Sequence, residues 1–268
     1  MSRFAQTLMR TTQHLRGQTA KALRMQGADE PFRAPQTLLT FSSREDLQNY
    51  AIGCDTDIGG LSTAHLDLVE PTEKDNEQTR PYVKFWGEMR LGARKELEGK
   101  IRSGYAGFRS KRRRMLIGEI TDDVSMHRFL ALRLRAAGHP RTRNSYYVNI
   151  QTDGPVETDL WQHRLYFRRE DGGWEDIYIP FDEFVLTNTG EVSQQQMTMF
   201  RERLRTIGIS ILGGNSGVEG PYELGIDSIR AVNEEDVPSD HARRERTVRR
   251  DAVGETRGMS IKCRAEKI

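Results

Sequence analysis

Cysteines and long apolar runs are scarce in this sequence of 268 residues. Its two cysteines, Cys54 and Cys263, are far apart and form no CxxC pair. A disulfide framework and a thiolate zinc site are therefore not expected, and a reducing compartment is favoured. No apolar run approaches the roughly 18 residues that are needed to cross a bilayer. The sequence predicts a protein that is soluble or lies on a membrane surface.

The usual sequence signatures of catalysis are also missing. The histidines form neither an HExxH motif nor a close pair, and no GxSxG motif is present. The glycine-rich segment 213–220 lacks the GK[ST] ending of a P-loop, so a surface loop between two strands is favoured. Asp159 and His163 are four residues apart, which is weak evidence for a general base. We predict a binding protein that has no enzymatic activity, no catalytic residues and no cofactor.

Acidic residues are absent from the first 28 positions, which carry five Lys or Arg residues. Residues 237–268 are also basic, whereas residues 29–236 carry a net charge of −7. Because nucleic-acid binding needs a positive contact face, the acidic body is not expected to bind nucleic acid. The charge pattern divides the chain into an N-terminal arm at 1–34, a body at 35–236 and a basic C-terminal tail at 237–268.

The N-terminal arm has the pattern of an amphipathic helix. At 100° per residue its apolar side chains fall on one side and most of its basic side chains on the other. An acid-free helix that is rich in arginine and hydroxyl groups is typical of a mitochondrial transit peptide. A retained helix that lies on an anionic membrane and an ordinary basic helix are the alternatives. The candidate partner or membrane contacts of the arm are Arg3, Phe4, Leu8, Arg10, Leu15, Lys21 and Arg24.

The body alternates apolar and polar residues, as the half-buried strands of antiparallel sheets do. Ile207, Ile209 and Ile211 are one example of this period of two. Turns rich in glycine and aspartate separate the predicted strands, and strands do not alternate regularly with long helices. We predict an all-β sandwich or jelly roll, with short helices at 43–50, at 180–184 and around 194–205.

Two segments of the body are candidate sites. DTDIGG at 55–60 places two carboxylates before a glycine pair, as calcium loops do, but ordinary turns have the same composition. We favour a turn without a metal ion. SKRRRM at 110–115 is either a solvated hairpin tip or a contact with an acidic subunit or with phospholipid headgroups. Its candidate contact residues are Lys111, Arg112, Arg113 and Arg114.

A series of sequence blocks between roughly residues 38 and 236 carries a family resemblance. CDTDIGGLS (54–62), FWGEMRL and GYAGFRS (104–110) are followed by FLALRLR, SYYVNIQT, WEDIYIPFDEF and GPYELGIDSI (220–229). In this order the blocks resemble the complex I intermediate-associated protein 30 family. The sequence departs from the family at RAAGHPRTRN (135–144), where the family tends to have RGDGR-like residues.

The resemblance implies a galactose-binding-like jelly roll and a chaperone-like assembly factor for respiratory complex I. Its partners would be membrane-arm subunits of complex I and other assembly factors, on the matrix side of the mitochondrial inner membrane. The resemblance carries over no catalytic residues. The basic ends add an expected contact with anionic inner-membrane lipid.

Two further functions are alternatives to assembly. A carbohydrate-binding jelly-roll module is suggested by Trp86, Trp161 and Trp174, although tryptophans of this kind more often belong to the core. A metal-dependent enzyme would use the carboxylates of DTDIGG.

Overall fold

The computed structural model describes residues 3–23, 33–71, 80–214 and 217–238. Within these ranges the chain has one α-helix, α1 (Arg3–Leu23), and fifteen β-strands. Most of the strands form two antiparallel sheets, so the prediction of an all-β body preceded by a helical arm is confirmed.

The first sheet has six strands, with β1 beside β15 and the other strands in the order β11-β8-β15-β4-β3. They are β1 (Gln36–Leu39), β3 (His65–Val69), β4 (Tyr82–Met89), β8 (Phe129–Gly138), β11 (Glu175–Pro180) and β15 (Gly220–Val232).

The second sheet has seven strands in the order β13-β12-β10-β9-β14-β5-β2. They are β2 (Tyr50–Cys54), β5 (Tyr105–Ser110), β9 (Tyr146–Thr152), β10 (Asp159–Arg164), β12 (Val185–Asn188), β13 (Glu191–Val192) and β14 (Leu204–Leu212). A separate small hairpin joins β6 (Arg113–Arg114) to β7 (Glu119–Ile120).

The core lies between the two sheets. The rings of Phe85 on β4 and Phe108 on β5 are 5.2 Å apart, and Tyr146 on β9 reaches Tyr222 on β15 at 6.4 Å. Every second residue of the central strands is buried, as the period of two requires. Each aliphatic side chain that is fully buried in this way contributes about 1.5–3 kcal/mol. Examples are Leu130, Leu132, Leu134, Val148, Ile150, Ile209 and Ile211.

Of the three predicted short helices, the one around 194–205 is wrong, and those at 43–50 and 180–184 are reduced to short 3-10 turns. At 43–50 the 3-10 turn is Asp46–Asn49, and a longer helix is prevented because Tyr50 already begins β2. The Asp46 carboxylate accepts hydrogen bonds from the backbone N–H groups of Ser42 and Ser43. The segment around 194–205 is irregular up to the start of β14 at Leu204.

The side chain of Gln196 explains that irregular segment. Its amide accepts a hydrogen bond from the Leu186 backbone N–H and donates one to the Leu186 carbonyl. This pair of bonds holds the segment against β12 in place of a strand or helix. The predicted helix at 180–184 is present as a 3-10 turn, Phe181–Glu183.

The loops and the ends of the chain complete the fold. Segment 213–220 connects β14 to β15, as predicted, and residues 215 and 216 lie outside the described residues. Part of the divergent segment 135–144 belongs to β8, which runs to Gly138. The predicted tail lies outside the described residues from position 239 onward. Among the residues that the structure describes, none of the helices combines the length and the hydropathy that a membrane span requires.

Candidate functional site

The face of the seven-stranded sheet that points away from the core has a depression of about 370 Å³. We call this face the outer face. Its lining residues come from four neighbouring strands and from β10, and most of them are small or polar. They include Ala51, Gly53, Tyr105, Gly107, Arg109, Asn149, Leu160, Thr206, Gly208 and Ser210.

Glycines form the floor of the depression. Gly53 on β2 is paired with Gly107 on β5, and Gly208 on β14 is paired with Asn149 on β9. Glycine inside a strand weakens the sheet and often marks a place where a ligand or another backbone approaches closely. The glycines therefore allow a bound molecule to approach the strand backbone closely.

The glycines of the floor differ in why they are needed. A Cβ atom on Gly208 would lie 2.2 Å from the carbonyl oxygen of Phe108, so the sheet itself excludes a side chain there. A Cβ atom on Gly53 would meet only the Asp57 carboxylate, at 3.6 Å, which is an ordinary contact. Packing therefore does not require glycine at position 53, and the open space above it is available to a ligand.

A ladder of side-chain hydrogen bonds crosses the outer face beside the glycines. Gln162 on β10 donates to Asn149 on β9 at 2.7 Å, and Asn149 donates to Ser210 on β14 at 2.9 Å. Each amide has two N–H donors and an oxygen with two lone pairs, so the ladder uses part of this capacity. It fixes the orientation of the amides, which suits them to bind the polar groups of a partner.

Tyr105 and Arg109 add an aromatic and a basic group to the same face. Burial, together with the nearby carboxylates of Asp57 and Asp55, raises the pKa of the Tyr105 phenol. Its hydroxyl group thus remains a hydrogen-bond donor at neutral pH. Arg109 is exposed at the register position beside Gly208. The face can bind a neutral or acidic partner through hydrogen bonds.

DTDIGG lies at one end of this sheet and forms a turn. Asp55 is fully buried and accepts hydrogen bonds from the backbone and hydroxyl of Ser62, at 2.8 and 2.9 Å, and from the Gly104 N–H. The Asp57 carboxylate faces the Cys54 N–H at 3.4 Å. Both carboxylates therefore serve the turn, and in the described ranges no cluster of three or more metal-ligating side chains occurs.

Asp159 and His163 do not form a catalytic pair. They lie four residues apart on β10, so the rise of a strand separates them by about 13 Å. The His163 ring packs near Phe184, and its Nε2 atom lies 3.9 Å from the Glu183 carboxylate. Burial lowers the pKa of His163.

The four predicted basic contacts of the body lie on or next to the small hairpin. Arg112 pairs with Glu157 at 3.2 Å and Arg113 pairs with Asp122, so both charges are partly balanced within the protein. The Arg114 side chain is 76% exposed, and Lys111 donates to the backbone carbonyl of Gln48. The tip that these residues precede is apolar.

The predicted contacts of the arm lie on or beside α1. Phe4, Leu8 and Leu15 are exposed, and Arg10 reaches Asn49 of the body at 3.4 Å. The side chains of Arg3 and Lys21, and the whole of Arg24, lie outside the described residues. A role in binding stays a prediction for all these residues and for the basic cluster of the hairpin.

The tryptophans occupy three different environments. Trp161 is buried in the core, and Trp174 is buried next to the guanidinium groups of Arg133 and Arg135. Trp86 is 36% exposed on β4, where it stacks on His65 and donates to Asp67. All three lie away from the depression on the outer face.

Sequence reasoning missed the outer face. Its residues are those that alternate with the core residues, such as Asn149 between Val148 and Ile150, and alternation along a strand indicates only that they face solvent. One signal in the sequence could have indicated the outer face. Glycine and small polar residues recur at these alternating positions, in GYAG and in the strand with Gly208 and Ser210.

Comparison with known proteins places the chain in a family. Residues 39–226 match the family model of complex I intermediate-associated protein 30. The mitochondrial protein of that name from Neurospora crassa is 33% identical over 217 residues, covering 75% of each chain. The one from Mus musculus is 28% identical over 220 residues, covering 81% of this chain and 60% of the mouse protein.

A solved structure supports the fold independently. The family 11 carbohydrate-binding module from Clostridium thermocellum, in complex with a mixed-linked tetrasaccharide, superposes with a TM-score of 0.50 at 14% identity. The alignment covers 74% of this chain and 95% of the module. At this identity the likeness shows the fold alone, and it confirms the jelly-roll sandwich. The match to the family model over most of the body, together with the Neurospora relative, shows that the chain belongs to the complex I intermediate-associated protein 30 family.

Proposed function

We propose that this protein is a non-enzymatic assembly factor for respiratory complex I. It binds an assembly intermediate of the membrane arm from the matrix side of the mitochondrial inner membrane. The names of its relatives support the link to complex I intermediates and to mitochondria. The observation that carries a binding role is the outer face, where a glycine floor lies beside a fixed amide ladder.

The chemistry of the outer face favours binding over catalysis. Gln162, Asn149 and Ser210 offer hydrogen-bond donors and acceptors that stay neutral at physiological pH. Glycine at position 53 lets a partner approach the backbone of β2. Such a surface suits a segment of a membrane-arm subunit whose own polar groups are not yet covered by later subunits. The protein would shield that segment and leave when the subunits assemble.

Carbohydrate binding is the second candidate. Amide side chains and a protonated Tyr105 hydroxyl could also bind sugar hydroxyls in the same depression. Calorimetric titration of the purified protein with mixed-linked glucan oligosaccharides tests it. Saturable heat that disappears in Gly53→Val would favour this function over assembly.

The assembly function is tested by complementation. Cells that lack the gene receive the wild-type protein, Gly53→Val or Lys84→Val, and complex I is measured on native gels. Gly53→Val fills the space above the glycine floor, while Lys84→Val places the same side chain on the six-stranded sheet. We expect wild type and Lys84→Val to restore complex I and Gly53→Val to restore much less, at equal protein levels.

Two results would contradict the proposal separately. Normal complex I in cells without the gene would contradict the assembly function. Full restoration by Gly53→Val would leave that function standing but would exclude the outer face as the binding surface.

A further inference from the structure

The tip of the β6–β7 hairpin exposes large apolar side chains. Ile117 is 90% exposed and Leu116 is 51% exposed. The turn is closed by a hydrogen bond from the Met115 N–H to the Gly118 carbonyl, and Gly118 has the positive φ of 79° that the turn needs. Hairpin tips in water usually carry polar turn residues. Two adjacent aliphatic side chains at this position indicate that the tip meets an apolar medium.

Ion pairs fix the base of the hairpin to the body. Arg113 pairs with Asp122, whose backbone exchanges hydrogen bonds with Leu204 of β14. Glu119 lies 3.3 Å from Arg205, and both side chains are largely buried. The hairpin is therefore a rigid projection, and inserting its tip would order few additional residues.

Basic residues lie on the segment that leads to the apolar tip. Arg114, directly before the tip, is highly exposed. Its ion pair with the Glu119 carboxylate is long, at 3.8 Å, and Glu119 also pairs with Arg205, so the charge of Arg114 is only partly neutralised. Lys111 is exposed, and the Gln48 carbonyl to which it donates does not neutralise its charge. An apolar hairpin tip with basic residues behind it matches the interface of an anionic bilayer, where acyl chains lie below negative headgroups.

Helix α1 extends this surface. The Leu116 N–H donates to the hydroxyl of Thr11 at 3.2 Å, so the hairpin tip touches the helix. At 100° per residue, Thr11 lies about 20° from Phe4 and about 40° from Leu15 around the helix axis. The tip thus lies next to the exposed apolar stripe of Phe4, Leu8 and Leu15, on a helix segment without acidic residues.

We propose that the hairpin tip at 115–118 inserts into the interface of an anionic phospholipid bilayer, with the apolar stripe of α1, retained in the mature protein, lying beside it. The identity of that bilayer as the mitochondrial inner membrane rests on the proposed function, which this inference deepens. A bilayer is favoured over a protein partner because the apolar groups project outward at the end of a hairpin and the bases lie directly behind them. Lys111 and Arg114 are the headgroup contacts, and Leu116 and Ile117 are the inserting residues.

Vesicle co-sedimentation of the full-length protein tests this docking. The vesicles contain phosphatidylcholine alone or phosphatidylcholine with cardiolipin. We expect the wild-type protein to bind the cardiolipin vesicles, and Leu116→Ser/Ile117→Ser to reduce that binding about tenfold or more. Val192→Ser removes an aliphatic side chain that is 67% exposed on β13, away from the hairpin, and should bind as wild type does. Arg114→Glu should weaken binding most at low salt.

The contribution of α1 is measured with Leu8→Ser/Leu15→Ser, which we expect to weaken vesicle binding while circular dichroism shows an intact sheet fold. The docking is overturned if wild type fails to bind cardiolipin vesicles or if the tip variant binds as wild type does. It is also overturned if the tip variant no longer captures a detergent-solubilised complex I subunit but still binds vesicles as wild type does. Gly53→Val should still bind vesicles, so failure of docking and failure of the proposed function give different results.

Discussion

The backbone N–H of Gly104 donates a hydrogen bond to the carboxylate of Asp55, 49 residues earlier in the chain, at 2.5 Å. The same carboxylate accepts two bonds from Ser62. One buried side chain therefore joins the end of β2, the segment before β3 and the start of β5. A carboxylate can be buried in this way because its charge is satisfied by several donors.

Asp55→Asn should destabilise the protein. The asparagine amide keeps one oxygen acceptor but replaces the other with an NH₂ group, which cannot accept the bond from Gly104 or from the Ser62 hydroxyl. A buried donor left without an acceptor costs about 1–3 kcal/mol. Urea unfolding of the purified variant measures the loss of unfolding free energy.

Asp57→Asn is the matched control, because Asp57 is exposed and its contact with the Cys54 N–H is long, at 3.4 Å. Its unfolding free energy should remain within about 0.5 kcal/mol of wild type. Equal losses in the two variants would show that the Asp55 hydrogen bonds are not what stabilises this end of the sheet.

The partners of Asp55 show where prediction from sequence reaches its limit. Local composition was sufficient to predict a turn at DTDIGG, because aspartate and glycine favour turns. Gly104 could not be predicted as a partner, since the two residues meet only after β2 and β5 pair. The core was predictable for the opposite reason: a period of two along one strand, as in Ile207, Ile209 and Ile211, shows which side is buried.

The outer face depends on register between strands. Gly53, Gly107 and Ser210 become neighbours only when three strands align, and alternation along one strand carries no information on that alignment. The helix predicted around 194–205 failed for a related reason. The bonds of the Gln196 side chain with Leu186 lie outside the periodicity of the sequence.

The glycines of the outer face should respond differently to alanine. Gly208→Ala places a methyl group against the Phe108 carbonyl and should cost about 1–3 kcal/mol, as overpacking does. Gly53→Ala has room for the methyl group and should be neutral or stabilising by up to about 1 kcal/mol. Thermal unfolding of both variants measures the difference. If Gly53→Ala were as destabilised as Gly208→Ala, glycine at position 53 would be a packing requirement.

Arg135→Met should lower stability through a cluster on the outer side of the six-stranded sheet. The Arg135 guanidinium lies 5.2 Å from the Tyr82 ring and 5.4 Å from the Trp174 ring, and it donates to the Tyr82 hydroxyl at 3.0 Å. Methionine keeps an apolar stem but loses the cation, which costs about 1–2 kcal/mol in a partly desolvated site.

Arg94→Met removes an exposed guanidinium and serves as the control for Arg135→Met, with no expected change in melting temperature. Arg135→Lys should recover part of the loss, because lysine restores the charge without the planar group that stacks on both rings. Full stability in Arg135→Met would exclude a contribution from the cation.

His163 should make the stability of the protein depend on pH. Burial lowers its pKa in the folded state below the ordinary value of 6.5, and this effect exceeds the opposing contributions of a backbone hydrogen bond with Arg164 and of the Glu183 carboxylate. As the pH falls below 6.5 the unfolded chain takes up the proton first, so the free energy of unfolding decreases until the folded histidine is also protonated.

His163→Gln removes this titration and should flatten the decrease in unfolding free energy between neutral and mildly acidic pH. His65→Gln, which replaces an exposed histidine on β3, should keep the wild-type slope. Urea unfolding at a series of pH values measures the slopes, and parallel curves for His163→Gln and wild type would rule out His163 as the titrating group.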